Sequence, residues 1–367
     1  MPKKRVLVAM SGGVDSSVTA YLLKERGFEC VGATMRLTCS RSFGSDGSRT
    51  CCSLSDIADA ESVAKRLGIP YHVLDFRETF EREVVDKFVS TYLAGATPNP
   101  CIDCNRHLKF GALLDFALQQ GCDYVATGHY ARIARDACGA WTLSRGIDAK
   151  KDQSYVLYSL DQERLAHTLL PLGGMNKERE VRRIAAEQGL VNASKPDSQD
   201  ICFVPDGDYA RFIEDRTEQP LPEGDILYRD GSVVGHHQGA IRYTVGQRKG
   251  LGVAMRHPVY VTGIDTAANT VMLGEAEDLV SRALVADDWI WSAPVETMEA
   301  RLKDGGIRVS AKYRYHQTDQ AATLTRADGC LRLDFDEPQR AIAPGQAVVV
   351  YSGDVVLGGG TVKQALR

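Results

Sequence analysis

The chain has 367 residues, is 44% hydrophobic and 25% charged, and carries a net charge of −4. That length predicts two or three domains, the composition is that of a soluble globular protein, and no run approaches the ~20 apolar residues of a membrane span. The balance of charge excludes wholesale coating of nucleic acid, though not a local basic patch.

The N-terminal Met1-Pro2-Lys3-Lys4-Arg5 runs straight into an apolar strand with no cleavable apolar segment, so a cytoplasmic location is expected. Ten cysteines in that reducing compartment read as thiols, metal ligands or catalysts rather than disulfides.

From residue 5 to about 130 strands and helices alternate. Strands are predicted at 5–10, 30–37, 70–75 and 123–127, with helices near 16–26, 55–67, 77–93 and 105–120. Alternation of this kind implies a doubly wound parallel sheet whose ligand sits outside the carboxyl ends of its strands. Two segments fall there: Ser11-Gly12-Gly13-Val14-Asp15-Ser16-Ser17 after the first strand, and Thr127-Gly128-His129-Tyr130 after the fourth. In the first, the glycines bring backbone N–H groups close to an anion, and the serines are expected to cap the following helix. The Gly-x4-Gly-Lys-Ser/Thr loop is absent, and the segment matches instead the pyrophosphatase-type loop of enzymes that split ATP between its α- and β-phosphates. An ordinary Gly-rich βα turn is the bland alternative. The Ser-, Gly- and Arg-rich stretch 39–52 reads as a mobile loop near the nucleotide, and Cys51 and Cys52 receive no chemistry.

Pro98-Asn99-Pro100-Cys101-Ile102-Asp103-Cys104-Asn105 holds a loop rigid at two prolines and places Cys104 at the start of a helix. The helix dipole, with Arg106 and Lys109 nearby in sequence, should favour its thiolate. Cys202 follows the polar turn Lys195-Pro196-Asp197. Three readings stay open. Cys101 and Cys104 could be a redox dithiol or half a zinc site, although no second ligand pair follows at the right spacing. Cys101, Cys104 and Cys202 could hold three corners of an iron–sulfur cluster. Cys104 and Cys202 could instead carry and release sulfur.

Beyond about residue 215 short strands separated by glycine and proline turns take over. Asp230-Gly231, Asp328-Gly329 and Ser352-Gly353-Asp354 are predicted hairpin turns, and 347–351 a strand. The expected division is 1–214 for a catalytic domain, 215–280 for a small β-rich domain and 281–367 for a β-barrel. No carboxylate lies between Asp230 and Asp265, where Arg242, Arg248, Lys249 and Arg256 fall. A second basic stretch runs from Arg301 to His316. Local asymmetry on an acidic chain points to a polyanion larger than ATP, or to a merely solvated basic face.

These motifs, together with Lys151-Asp152-Gln153-Ser154-Tyr155, Asp197-Ser198 through Ile201-Cys202-Phe203, and Thr244-Val245-Gly246-Gln247-Arg248-Lys249-Gly250-Leu251-Gly252, resemble the bacterial tRNA-specific 2-thiouridylase family along the whole chain. The resemblance implies a domain like the adenine-nucleotide α-hydrolases, with ATP and Mg²⁺ bound by Ala9, Met10, Ser11, Gly12, Gly13, Val14, Asp15 and Ser16, and adenosine against Met35 and Gly128. It implies adenylation of the C2 oxygen of wobble uridine 34 in the tRNAs for Lys, Glu and Gln. Cys202 would carry persulfide sulfur from a cysteine desulfurase or relay protein, and Cys104 would be the nucleophile that pairs with it in a transient disulfide. Asn99, Pro100, Cys101, His129, Lys151, Asp152 and Gln153 would surround the flipped base, and Arg314, Tyr315 and Gln346 would contact the tRNA. Many members carry an acid where this chain has Cys101. That thiol is either an inert small residue or the third ligand of a [4Fe-4S] cluster.

Overall fold

The computed structural model describes residues 3–37, 54–197, 201–327 and 329–367. The expectations placed on 39–52, Ser198 and Asp328 lie outside that range.

Strand β1 (Arg5–Ala9), helix α1 (Val14–Glu25), β2 (Glu29–Arg36), α2 (Leu54–Leu67), β3 (Tyr71–Asp75), α3 (77–93), α4 (100–119) and β4 (Tyr124–Ala126) follow in order. Next come the hairpin β5 (Ala131–Arg135) and β6 (Trp141–Arg145), then α5 (Gln162–Ala166), β7 (Thr168–Leu169) and α6 (177–187). Among the described residues β3-β2-β1-β4-β7 form one parallel sheet. Strand order reverses between β1 and β4, so the crevice above those two strands is where such folds hold ligands.

Both faces of the sheet are covered, as alternating side chains require. Leu7, Val31, Ala33 and Met35 point into a core with Phe80, Phe88, Leu108 and Phe203. Val6 and Val8 point the other way, to Val18, Val63 and Val181. The doubly wound sheet is as predicted. Its fifth strand β7, two residues long, escaped notice because so short a segment has no readable period.

After α7 (Tyr209–Thr217), strands β8 (Gly224–Tyr228), β9 (Val233–His237), β10 (Tyr260–Asp265) and β11 (Thr270–Gly274) make a second sheet in the order β10-β11-β8-β9. Then β12 (Val280–Trp291), α8 (Val295–Lys303), β13 (Ile307–Lys312), β14 (Gln320–Ala327), β15 (Cys330–Arg340), β16 (Ala347–Ser352) and β17 (Val355–Leu366) complete the chain. Pairing of β12 with both β15 and β17 closes six of these strands into a barrel. The turns at 230–231 and 352–354 join antiparallel strands as predicted. Helix α8 was not foreseen from residue 215 onward.

The hairpin β5–β6 was also not foreseen, and it links the two ends of the chain. Val355 and Val356 of β17 pair with Ser144 and Leu143 of β6, so a hairpin of the first domain extends the barrel sheet. Beneath it Ile102, Phe110, Tyr155 and Leu157 share one buried core with Ala347, Val349, Tyr351 and Val356. A seam with a core of its own behaves as one body rather than as two mobile domains. No helix among the described residues is long and apolar enough to cross a membrane.

Candidate functional site

The Ser11–Ser17 segment sits at the carboxyl end of β1. Gly12 has φ +72°, and a Cβ there would lie 2.3 Å from the Asp56 carbonyl oxygen. Gly13 is the N-cap of α1, and no side chain caps its first turn. The expected serine capping is therefore corrected. Ser16 and Ser17 lie inside the helix and donate to the Gly13 carbonyl at 3.1 and 3.0 Å, which leaves the first-turn N–H groups for an anion. Ser16 Oγ also accepts from the Ser11 N–H at 3.2 Å.

Ala9 ends β1. Met10 is buried, with its N–H on the Ala33 carbonyl and its own carbonyl accepting from Thr34 Oγ1 at 2.6 Å. Val14 opens α1 in the core. Met35 is buried at the end of β2. Gly128 closes the crevice from β4, since a Cβ on it would stand 2.9 Å from the Asp15 backbone.

A charge network underlies this loop. Asp15 accepts from Tyr130 Oη and from Lys177 Nζ, both at 2.6 Å. The same Lys177 ammonium reaches Asp197 at 2.8 Å, where Lys151 (2.8 Å) and Arg182 (3.1 Å) also converge. These cations hold the Asp197 carboxyl below its usual range despite partial burial. Asn192 Nδ2 donates to the Gly12 and Gly13 carbonyls and to Ser17 Oγ at 3.0, 3.2 and 2.8 Å. Lys195 joins the Gly12 carbonyl to Asp56 and Asp59.

Lys177 and Asn192 were not singled out in the sequence analysis, and Lys195 was read only as part of a polar turn. The one available signal for Lys177 was its place after Asn176, which caps α6, with Glu180 bonded back to the Asn176 N–H.

Cys104 is not at a helix start. The helix begins at Pro100, whose fixed φ suits the first helical position, so Cys104 is its fifth residue and largely beyond the end of the dipole. The expected basic neighbours are engaged elsewhere as well. Arg106 pairs with Asp288 of the barrel at 2.5 Å, and Lys109 donates to Asn105 Oδ1 at 2.9 Å. From Cys104 to Ala112 the helix widens to π-type spacing, a distortion often found at functional sites.

Cys104 and Cys202 are both half-buried and pack against the same core as Phe203, whereas Cys101 is exposed. Among the described residues no group of three His, Cys, Asp or Glu side chains could hold a metal ion. The structure thus adds no support to the reading of Cys101, Cys104 and Cys202 as iron–sulfur ligands.

The other predicted contacts divide. Asn99 is half-buried, Pro100 buried and Lys151 one-third exposed. Asp152 caps the turn it begins, accepting from the Gly146 N–H and from Ser154, and Gln153 Oε1 accepts from the Tyr130 N–H at 3.0 Å. On the barrel side, Arg314 donates to the Ala341 carbonyl, Tyr315 Oη to the Asp152 carbonyl at 3.1 Å, and Gln346 Nε2 to the Thr97 carbonyl at 2.9 Å. Of the two basic stretches, Arg242 pairs with Glu214 and Arg308 with Asp336, while Arg248, Lys249 and Arg256 stay exposed.

His129 is 8% exposed, with Nδ1 2.7 Å from Thr127 Oγ1, and burial with Lys109 nearby holds its pKa well below the usual value. It stays neutral in the fold, whereas the unfolded chain takes up a proton below pH ~6.5. The stability it contributes is complete above that pH and is lost on acidification, at about 1.4 kcal/mol per pH unit until the folded-state pKa is reached. Urea midpoints between pH 8 and 5 should therefore fall less steeply for His129→Gln than for the wild type, and parallel curves would refute this assignment.

A glycine loop at the switch point of a doubly wound sheet, with two β-domains behind it, defines a multidomain α/β protein of the nucleotide-binding kind. Family models tile the chain accordingly. One described as tRNA methyl transferase HUP domain matches residues 4–206, a tRNA methyl transferase PRC-barrel domain 210–275, and an aminomethyltransferase β-barrel domain 281–362. The chain is 52% identical to the tRNA-specific 2-thiouridylase MnmA of Moorella thermoacetica, over 98% of this chain and 100% of that protein. It is 47% identical to the enzyme of the same name from Clostridioides difficile, with 99% of each covered, and 49% identical to that of Geobacter metallireducens, with 99% and 98% covered. The chain belongs to the tRNA-specific 2-thiouridylase family, as its motifs implied.

Proposed function

We propose that this enzyme makes 2-thiouridine at wobble position 34 of the tRNAs for Lys, Glu and Gln, adenylating the base with ATP and replacing its C2 oxygen by sulfur. The observation that carries the reading is one domain holding both the glycine loop at its switch point and the Cys104–Cys202 pair on its core. ATP would lie over Ala9 to Ser16 with its phosphates on the first-turn N–H groups of α1, and its adenosine toward Met35 and Gly128. Mg²⁺ would enter on the phosphates and stabilise charge there.

The uridine O2 attacks the α-phosphorus, and the bond to pyrophosphate breaks. Cys202 carries a persulfide from a desulfurase or relay protein, and its terminal sulfur attacks C2, expelling AMP with the former O2. Cys104 thiolate then attacks Cys202 Sγ. The sulfur–sulfur bond to the base breaks, its electron pair stays on the C2 sulfur, and a Cys104–Cys202 disulfide remains, which a thiol reductant must reopen. Asn99, Pro100, Cys101, His129 and Lys151 would surround the flipped base, with the structural bonds of Asp152 and Gln153 setting the loop beneath it. Arg314, Tyr315 and Gln346 would face the tRNA from the barrel.

The working units are 1–214 for chemistry, 215–280, where Arg248, Lys249 and Arg256 offer charge to a phosphate backbone, and 281–367 for docking. A cytoplasmic location fits this substrate.

The test is nucleoside mass spectrometry on unmodified tRNA for Glu, incubated anaerobically with the protein, Mg²⁺-ATP and a persulfide donor. Wild type should show an ATP-dependent gain at the wobble uridine equal to replacement of oxygen by sulfur. Cys104→Ser and Cys202→Ser should each lose it, at least a hundredfold, while still releasing pyrophosphate, because adenylation precedes both thiol steps. AMP formation on a small acceptor with no tRNA mass gain would move the assignment to a small-molecule adenylating ligase.

A further inference from the structure

We propose that Gly345 and Gln346 of the C-terminal barrel are positioning residues for the Cys104 helix, so that the barrel sets the geometry of the sulfur-transfer step and does not serve tRNA docking alone. The inference rests on Cys104 being the nucleophile. Both backbone groups of Thr97 are taken by the barrel: its N–H donates to the Pro344 carbonyl at 2.9 Å, and its carbonyl accepts Gln346 Nε2 at 2.9 Å. Between those residues Gly345, at φ +84°, lies so close that a Cβ would stand 2.9 Å from the Thr97 nitrogen and 3.0 Å from its oxygen. Thr97 is three residues before Pro100, the first residue of α4. Whatever fixes Thr97 therefore fixes where the helix starts, and with it where Cys104 stands one turn later.

The opposite loop is held from the same side. Tyr155 Oη donates to the Ala347 carbonyl at 2.7 Å and Tyr315 Oη to the Asp152 carbonyl at 3.1 Å. Ile102 of α4 shares a buried core with Ala347 and Val349. Two loops of the first domain thus hang on the 344–347 turn of the barrel, the second of them also on Tyr315. Small displacements of reacting groups cost rate rather than affinity.

The experiment compares wild type with Gln346→Ala, Gln346→Glu and Gly345→Ala. Gln346→Glu keeps the size of the side chain and loses its N–H donor. Three quantities are measured: kcat and KM for unmodified tRNA, tRNA Kd, and the rate at which iodoacetamide alkylates Cys104, followed by peptide mass spectrometry. The expected result is a kcat at saturating tRNA about tenfold lower in both Gln346 variants and a changed Cys104 alkylation rate, whether or not Kd also rises. Gly345→Ala should reproduce the pattern more strongly. A kcat unchanged at saturating tRNA, with Kd raised or not, would overturn the proposal. The alkylation arm needs no turnover, so a Cys104→Ser variant that still thiolates tRNA would sink the nucleophile assignment without deciding how Cys104 is held.

Discussion

Replacing Lys177 by Ala is expected to abolish ATP-dependent AMP formation and to lower stability by about 3 kcal/mol. The residue is 4% exposed, and among the described residues its ammonium is the one group that bridges Asp15 to Asp197. Without it two carboxylates face each other across an emptied space. Asp15 keeps the Tyr130 hydroxyl, and Asp197 keeps Lys151 and Arg182. Removing one partner of a fully buried pair costs roughly 3–5 kcal/mol, and the part-exposure of both carboxylates places this case at the low end. Lys177→Met separates charge from packing, because the thioether fills most of the space of the lysine stem. Its urea midpoint should recover part of the loss while AMP formation stays absent, since Asp15 then meets the ATP phosphates with its charge unbalanced. Wild-type turnover in Lys177→Met would dismiss the role given to this ammonium.

Gly12→Ala and Gly13→Ala should differ sharply although the two glycines are adjacent. At Gly12 the backbone has φ +72°, and an added Cβ meets the Asp56 carbonyl oxygen at 2.3 Å. An L-residue pays about 1–2 kcal/mol for that conformation alone. The clash is with backbone at the start of α2, which Lys195 ties to the Gly12 carbonyl through Asp56 and Asp59, so no flexible side chain can yield. The loop must shift away from its place above β1. A displacement near 1 Å at a reacting centre costs about a hundredfold in rate, and AMP formation should fall by at least that much. At Gly13 the backbone is extended, and the nearest atom to an added Cβ is Ser11 Oγ at 3.4 Å, an ordinary contact. Gly13→Ala should therefore keep activity within about tenfold, the scale of a minor loop adjustment. Equal losses in the two variants would show that bulk in the loop, not its backbone conformation, is what matters.

The parallel sheet was legible because the strands around β1, β2 and β4 are short apolar runs that alternate with helical segments, and the connections between them leave few topologies. The nucleotide loop was legible because glycines and serines at a strand-to-helix junction have few other uses. The helix carrying Cys104 was placed five residues late. Pro100 reads locally as a loop residue, yet it is also well suited to open a helix, and the packing of Ile102 and Asn105 against the 154–157 turn decides between the two. Helix α8 buries only Met298 and Leu302, too narrow a stripe to stand out amid strands.

By itself the amino-acid sequence determined the alternation of strands and helices up to about residue 130, the hairpin turns at 230–231 and 352–354, the glycine loop and the cysteines, since each depends on residues close together in the chain. Only the tertiary structure decided that Lys177 stands between Asp15 and Asp197, 162 residues from the first of these, and that Gln346 holds Thr97 across 249 residues. It also decided that a hairpin at 131–145 completes a sheet made by the last strand. A buried ion pair and an inter-strand ladder are satisfied by whatever partner the packed core brings within about 3 Å, and spacing along the chain carries no record of that choice.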